Sequence, residues 1–226
     1  MTTRTVALVP LLVGVLATAS PGSISVDLTD PFTGADSGWT AIIADNTHNG
    51  ISVDSVEGGV VRIEISKTFY QPPAEGSFIP NIITFNQRLP DAQAASTIEI
   101  MDETILNGTG SDWTDYHWKV TAPFAAINKL NTTTSGFSIG PFSTAIWVAA
   151  SGWDANHANE LDVAGGTVPA GATYRPGLAQ GSLFIDVNLS LADTSFDLTQ
   201  QPTPEPATLS VLACAAMGML IRRRNK

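Results

Sequence analysis

The chain has 226 residues and a formal net charge of −10, with 43% hydrophobic and only 14% charged residues. That length supports one sizeable domain without requiring two. Between Ser20 and Pro204 six Lys and Arg stand against twenty Asp and Glu, which excludes a nucleic-acid-binding body, since displacing phosphate counterions needs a cationic surface.

The N-terminus reads MTTRTVALVPLLVGVLATAS. Arg4 supplies a charged start, Val6 to Leu16 an apolar run, and Ala17-Thr18-Ala19 a small-x-small cleavage pattern. Charge, apolar run and small residues in that order predict a signal peptide over residues 1–19, cut after Ala19 with Ala17 and Ala19 as the recognised small residues.

From Ser20 onward apolar and polar residues alternate with period two. In GVVRIEIS, Val61, Ile63 and Ile65 face one way, and Arg62, Glu64 and Ser66 the other. Ile98 and Ile100 alternate with Glu99, and Tyr116, Trp118 and Val120 with His117 and Lys119. Leu183, Ile185, Val187 and Leu189 line up against Asp186, Asn188 and Ser190. SGFSIG (135–140) and TAIWVAA (144–150) read as two further strands, the second apolar enough for burial on both faces. Glycine-containing pairs punctuate these runs, among them Asn49-Gly50, Gly58-Gly59, Asn107-Gly108 and Gly165-Gly166. No long helical period occurs between Ser20 and Gln200. The fold class expected is all-β: a single antiparallel β-sandwich of jelly-roll type over residues 20–199. The tract from Asp197 to Pro204 reads as a short linker.

The body carries no recognisable catalytic motif. H-E-x-x-H, the P-loop and G-x-G-x-x-G are all missing, and Gly136-Phe137-Ser138-Ile139-Gly140 has the letters of G-x-S-x-G but lies in a run read here as a strand, without the strand-turn-helix setting of a nucleophile elbow. His48, His117 and His157 lie far apart in sequence, and the lone Cys214 permits neither an internal disulfide nor a Cys-based zinc site. No catalytic, cofactor or metal residue is assigned. Calcium is the one cation that oxygen-rich stretches would suit: Asp112 and Asp115 beside His117, and Asp154, Asn156, Asn159, Glu160 and Asp162 in DANHANELD. Trp39, Trp113, Trp147 and Trp153 are candidates for stacking on sugars, or for filling a core.

The chain closes with PTPEPATLSVLACAAMGMLIRRRNK, residues 202–226. Ala207 to Ile221 is apolar but shorter than the roughly 20 residues of an ordinary spanning helix. The prolines keep the preceding strip extended, and Arg222, Arg223 and Arg224 can snorkel and stay cytoplasmic. Thr203, Pro204, Glu205 and Pro206, the apolar run and the three arginines together resemble a PEP-CTERM sorting signal. The resemblance covers about the last 24 residues. It implies an exported bacterial protein held first in the inner membrane by a short transmembrane helix. An exosortase would then recognise and process it for the cell surface or the exterior. On this reading residues 200–226 are linker, sorting signal, membrane helix and basic tail.

NGTGSDWTDYHWKV (107–120) resembles a stretch that recurs in β-rich cargo of that family, N-x-T-G-x-x-W-T-D-[FY]-H. It names no activity. The function expected is a non-enzymatic cell-surface or extracellular-matrix protein, associated with exopolysaccharide or biofilm. A carbohydrate-binding module and a secreted glycoside hydrolase or lyase on the same fold are the alternatives.

Overall fold

Where side chains alternate along an extended chain, a sheet must separate them onto two faces, and the apolar face must be covered. The structure, a computed structural model, describes residues 23–43, 49–70, 81–177, 181–191 and 195–204. The expected leader with Ala17 and Ala19 lies outside the described residues, as do Glu205, Pro206, the apolar run with Cys214, and Arg222–Arg224. Among the described residues no helix is long and apolar enough to cross a membrane.

The strands are β1 (Ile24–Thr29), β2 (Asp36–Ile43), β3 (Asn49–Glu57), β4 (Val60–Phe69), β5 (Asn81–Gln87), β6 (Thr97–Asn107), β7 (Trp113–Thr121), β8 (Ala125–Asn128), β9 (Thr144–Ala149), β10 (His157–Val168), β11 (Thr173–Tyr174), β12 (Leu183–Val187) and β13 (Ser195–Pro204). One short helix, α1 (Lys129–Ser135), follows β8. Asn128 caps it by accepting from the Asn131 N–H at 2.8 Å.

The protein is all-β, as its alternation predicts. The sheet is barrel-like rather than the two-layer sandwich expected. A single hydrogen-bonded path runs β1-β2-β5-β13-β7-β10-β8-β12-β6-β4-β3, with β11 on β6 and β9 on β10. The two ends of the path approach each other: the Val56 N–H of β3 donates to Asp30 Oδ2, just beyond β1, at 3.3 Å. Nor is the sheet purely antiparallel, because β4 runs parallel to β6. Which strands pair is a non-local choice that alternation within a strand does not encode.

Three local expectations are corrected. Ser135–Gly140 forms the end of α1 and a loop, not a strand. TAIWVAA becomes β9, an edge strand on β10 with Ile146 54% and Val148 41% exposed, so it is not buried on both faces. The tract from Asp197 to Pro204 is no linker. It forms most of β13, between β5 and β7 in the middle of the path. Its alternation is masked by Gln200 and Pro202, polar and cyclic residues at inward positions.

Val61, Ile63, Ile65, Trp118, Ile185 and Val187 all lie in the core, as expected. Trp39 and Trp113 join them at 0% exposure, which removes both from any sugar-stacking surface. An aromatic chain fills the middle: Trp118 lies 4.7 Å from Tyr116, and Tyr116 lies 5.5 Å from Tyr174. These rings surround a buried ion pair. Lys67 continues the inward phase of β4. A bulge at Met101, where Ile63 pairs with Ile100 but Glu64 with Asp102, turns Glu103 inward. Lys67 Nζ lies 3.3 Å from Glu103 Oε2, and both side chains are sealed from solvent. Trp118 Nε1–H donates to Glu103 at 3.3 Å, and Gln200 Nε2 donates to Glu103 Oε1 at 2.9 Å. Tyr116 OH donates to Gln200 Oε1 at 3.1 Å. Burial pushes the Lys67 ammonium below its ordinary value against the pull of Glu103, and it pushes the Tyr116 and Tyr174 hydroxyls up.

Removing one partner of a buried ion pair strands the other charge. Lys67→Met and Glu103→Gln should each lower the unfolding free energy by about 3–5 kcal/mol. The Lys67→Met/Glu103→Gln double variant should lose less than the sum, and a urea double-mutant cycle measures the difference.

Candidate functional site

With Tyr116, Trp118 and Val120 turned inward, Asp115, His117 and Lys119 of β7 must face out. The neighbouring strands follow the same rule. On β10, Asp162 pairs with His117 and Glu160 with Lys119. On β13, Thr203 pairs with Asp115. The outer edge is formed by β9, where Ile146 pairs with Asp162 and Val148 with Glu160. One patch of the outer face therefore gathers residues from two acidic segments far apart in sequence.

His117 is its centre. Nδ1 lies 2.6 Å from Asp162 Oδ1 and 3.9 Å from Glu160 Oε1. Nε2 lies 3.1 Å from Thr203 Oγ1 and 3.5 Å from Asp115 Oδ1. Asp115 and then Asp162 favour the imidazolium and, against partial burial, raise its pKa from 6.5 to about 9. As a cation the ring donates from both nitrogens, tying β10 to β7 and β7 to β13. Burial, and then the nearby Asp162, push the Glu160 carboxyl up, while Lys119 Nζ, 3.7 Å from Glu160 Oε2, pulls it down.

His117, Glu160 and Asp162 each offer one ligand atom, all within 4.8 Å of one another. One imidazole with two carboxylates is a donor set for a divalent cation only after the ring gives up its Nδ1–H. The set differs from the calcium reading of the sequence. Asp112 is not part of it, because Asp112 Oδ1 instead accepts from the Ala170 N–H at 2.9 Å. Asp154 and His157 form a second pair, 2.6 Å apart, with His157 Nε2 3.1 Å from Asp186 Oδ2. Trp153 packs on His157 at 4.5 Å, and Trp147 is partly buried against the core. Of the residues that the sequence resemblance suggested for sorting, Thr203 contacts His117 and Pro204 pairs with Trp113 of β7.

The phrase NGTGSDW is a structural turn. Asn107, 0% exposed, donates to the Ser111, Val168 and Pro169 carbonyls at 2.9, 3.0 and 3.1 Å. Its Oδ1 lies 2.7 Å from Thr109 Oγ1, which accepts from Trp113 Nε1–H at 3.2 Å. Asn, Thr and Trp at this spacing thus form one relay that satisfies a buried indole.

Elsewhere a shallow groove is lined by Gly50, Ser52, Glu64, Asp102 and Thr104. Arg175 Nη2 holds Asp102 Oδ2 there at 2.7 Å. No protein-family model matches the chain, and neither curated proteins nor solved structures give a match.

The His117 pKa carries a sign. It is raised in the folded state, so the stabilisation it gives is fully present below pH 6.5 and is lost as pH rises towards 9. Denaturation midpoints of the native protein should fall across that window. His117→Gln should flatten the slope, and urea titrations at pH 6, 7.5 and 9 compare the two.

Proposed function

We propose that the chain is an exported bacterial cell-surface or extracellular-matrix protein. Its barrel is a non-enzymatic cargo, and its PEP-CTERM-like tail is the substrate of an exosortase. The observation that carries this reading is the closing sequence itself: Thr203, Pro204, Glu205 and Pro206, the apolar run from Ala207 to Ile221, and Arg222–Arg224 stand in the order of such a sorting signal. They follow an all-β body whose β13 pairs with β7 as far as Pro204. The membrane-held precursor is the first state and the surface or extracellular protein the last, with exopolysaccharide as the medium it meets.

A carbohydrate-binding module draws less support. Trp39 and Trp113 are fully buried, which leaves only Trp147 and Trp153 partly exposed. For a glycoside hydrolase or lyase, Glu64 and Asp102 share a groove, but Asp102 is engaged by Arg175.

Intact mass of the exported protein tests the reading. The mature chain should begin near Ser20 and end near the Pro-Glu-Pro triplet. A product still carrying Arg222–Arg224 in a strain with an active exosortase would contradict it.

A further inference from the structure

The buried carboxylate of Glu103 touches two nitrogens of different chemistry. Lys67 Nζ, from β4, lies 3.3 Å from its Oε2, and Gln200 Nε2, from β13, donates to its Oε1 at 2.9 Å. The other end of the same amide is engaged as well: Tyr116 OH donates to Gln200 Oε1 at 3.1 Å. All four side chains are buried. An ammonium has three N–H donors, yet among the described residues Glu103 is the one hydrogen-bond partner of Lys67 Nζ. A charge so poorly met in a dry interior is costly, and giving up a proton relieves it. Burial already draws the Lys67 ammonium below its ordinary value.

We propose that Lys67 and Gln200 join through an intramolecular amide bond, with Glu103 as the proton carrier. Lys67 first passes one proton to Glu103, which leaves a neutral amine activated by desolvation. The Nζ lone pair adds to Gln200 Cδ. The carbonyl π electrons move to Oε1, where Tyr116 OH stabilises the developing oxyanion. Glu103 gives its proton to Nε2 and takes the surplus one from Nζ. The Cδ–Nε2 bond then breaks, its electron pair stays on nitrogen, and ammonia leaves. Glu103 ends protonated. One Cδ–N bond replaces another, so neither oxidant nor co-reactant is required. Packing holds the three groups together, and the closed core keeps out the water that would compete or reverse the step. The bond ties β4, near one end of the strand path, to β13 in its middle. With a single cysteine the chain has no internal disulfide. The amide supplies the equivalent staple, closing a loop of about 130 residues.

The test is mass spectrometry of the folded wild-type protein, denatured just before measurement and compared with the sequence between its own termini. The chain should be lighter by one ammonia, about 17 Da. Trypsin should no longer cut after Lys67, and the peptide holding Lys67 should be found joined to the one holding Gln200. Lys67→Arg, which keeps the charge, and Gln200→Leu should each restore the encoded mass. Glu103→Gln, which removes the proton carrier, should leave most chains unjoined. The wild-type chain decides by itself, so the test survives a variant that fails to fold. A folded wild-type chain at its encoded mass would overturn the proposal. A loss of about 18 Da with Lys67 joined to Glu103 would overturn it too, since the carboxyl would then be the acceptor and water the leaving group. So would a loss of ammonia with cleavage after Lys67 intact, which would place the change elsewhere in the chain. None of these outcomes bears on the sorting reading, which concerns the other end of the chain's history.

Discussion

The buried pair of Lys67 and Glu103 constrains the barrel more than any other contact. Two charges sealed in an aromatic interior are tolerated only when each is paired and the spare lone pairs are met. The partners come from four strands: Lys67 from β4, Glu103 from β6, Trp118 from β7 and Gln200 from β13. Because β4 and β6 lie at one end of the strand path and β7 and β13 near its middle, the sheet must curl until the two regions face each other. An open or flat sheet would keep the Lys67–Glu103 contact, which joins neighbouring strands, but would strip Glu103 of Trp118 and Gln200. The same contact therefore rewards closure and fixes register.

The consequence reaches the outer surface. Gln200 can serve Glu103 only if the even-numbered residues of β13 point inward, as Phe196, Leu198 and Pro202 do. Thr203 is thereby sent outward, opposite Asp115 and beside His117. Trp118 fixes β7 in the same way and sends His117 out. The polar core and the external imidazole patch are two faces of one registration, and the patch would come apart if either strand slipped by a residue.

Much of this was legible in the residues, and the gaps have identifiable causes. Strand interiors with clean alternation, such as Val61-Ile63-Ile65 and Ile185-Val187, announced their inward faces. β13 did not, because its inward Gln200 looks polar and its prolines look like a linker. β9 misled in the opposite sense, since an apolar run is equally compatible with an exposed edge. The bulge at Met101 that turns Glu103 inward leaves no trace in the pattern of Thr97–Asn107. For the candidate site, the outward phase of Asp115 and His117 and the i, i+2 spacing of Glu160 and Asp162 were visible. Their meeting depends on the pairing of β7 with β10, a contact across about 45 residues that periodicity does not specify. The Asn107–Thr109–Trp113 relay shows the reverse case, where a phrase singled out in the sequence is explained by satisfying one buried indole.

The account stands on β13 being a strand up to the threshold of the tail rather than a tether. Hydrogen–deuterium exchange on the full chain reads this directly. Amides from Phe196 to Gln200 should exchange as slowly as those of β7, with the Thr203 amide intermediate between them and an open chain. Fast, linker-like exchange throughout residues 195–204 would contradict the account, detaching both the core's Gln200 and the outer face's Thr203 from the barrel.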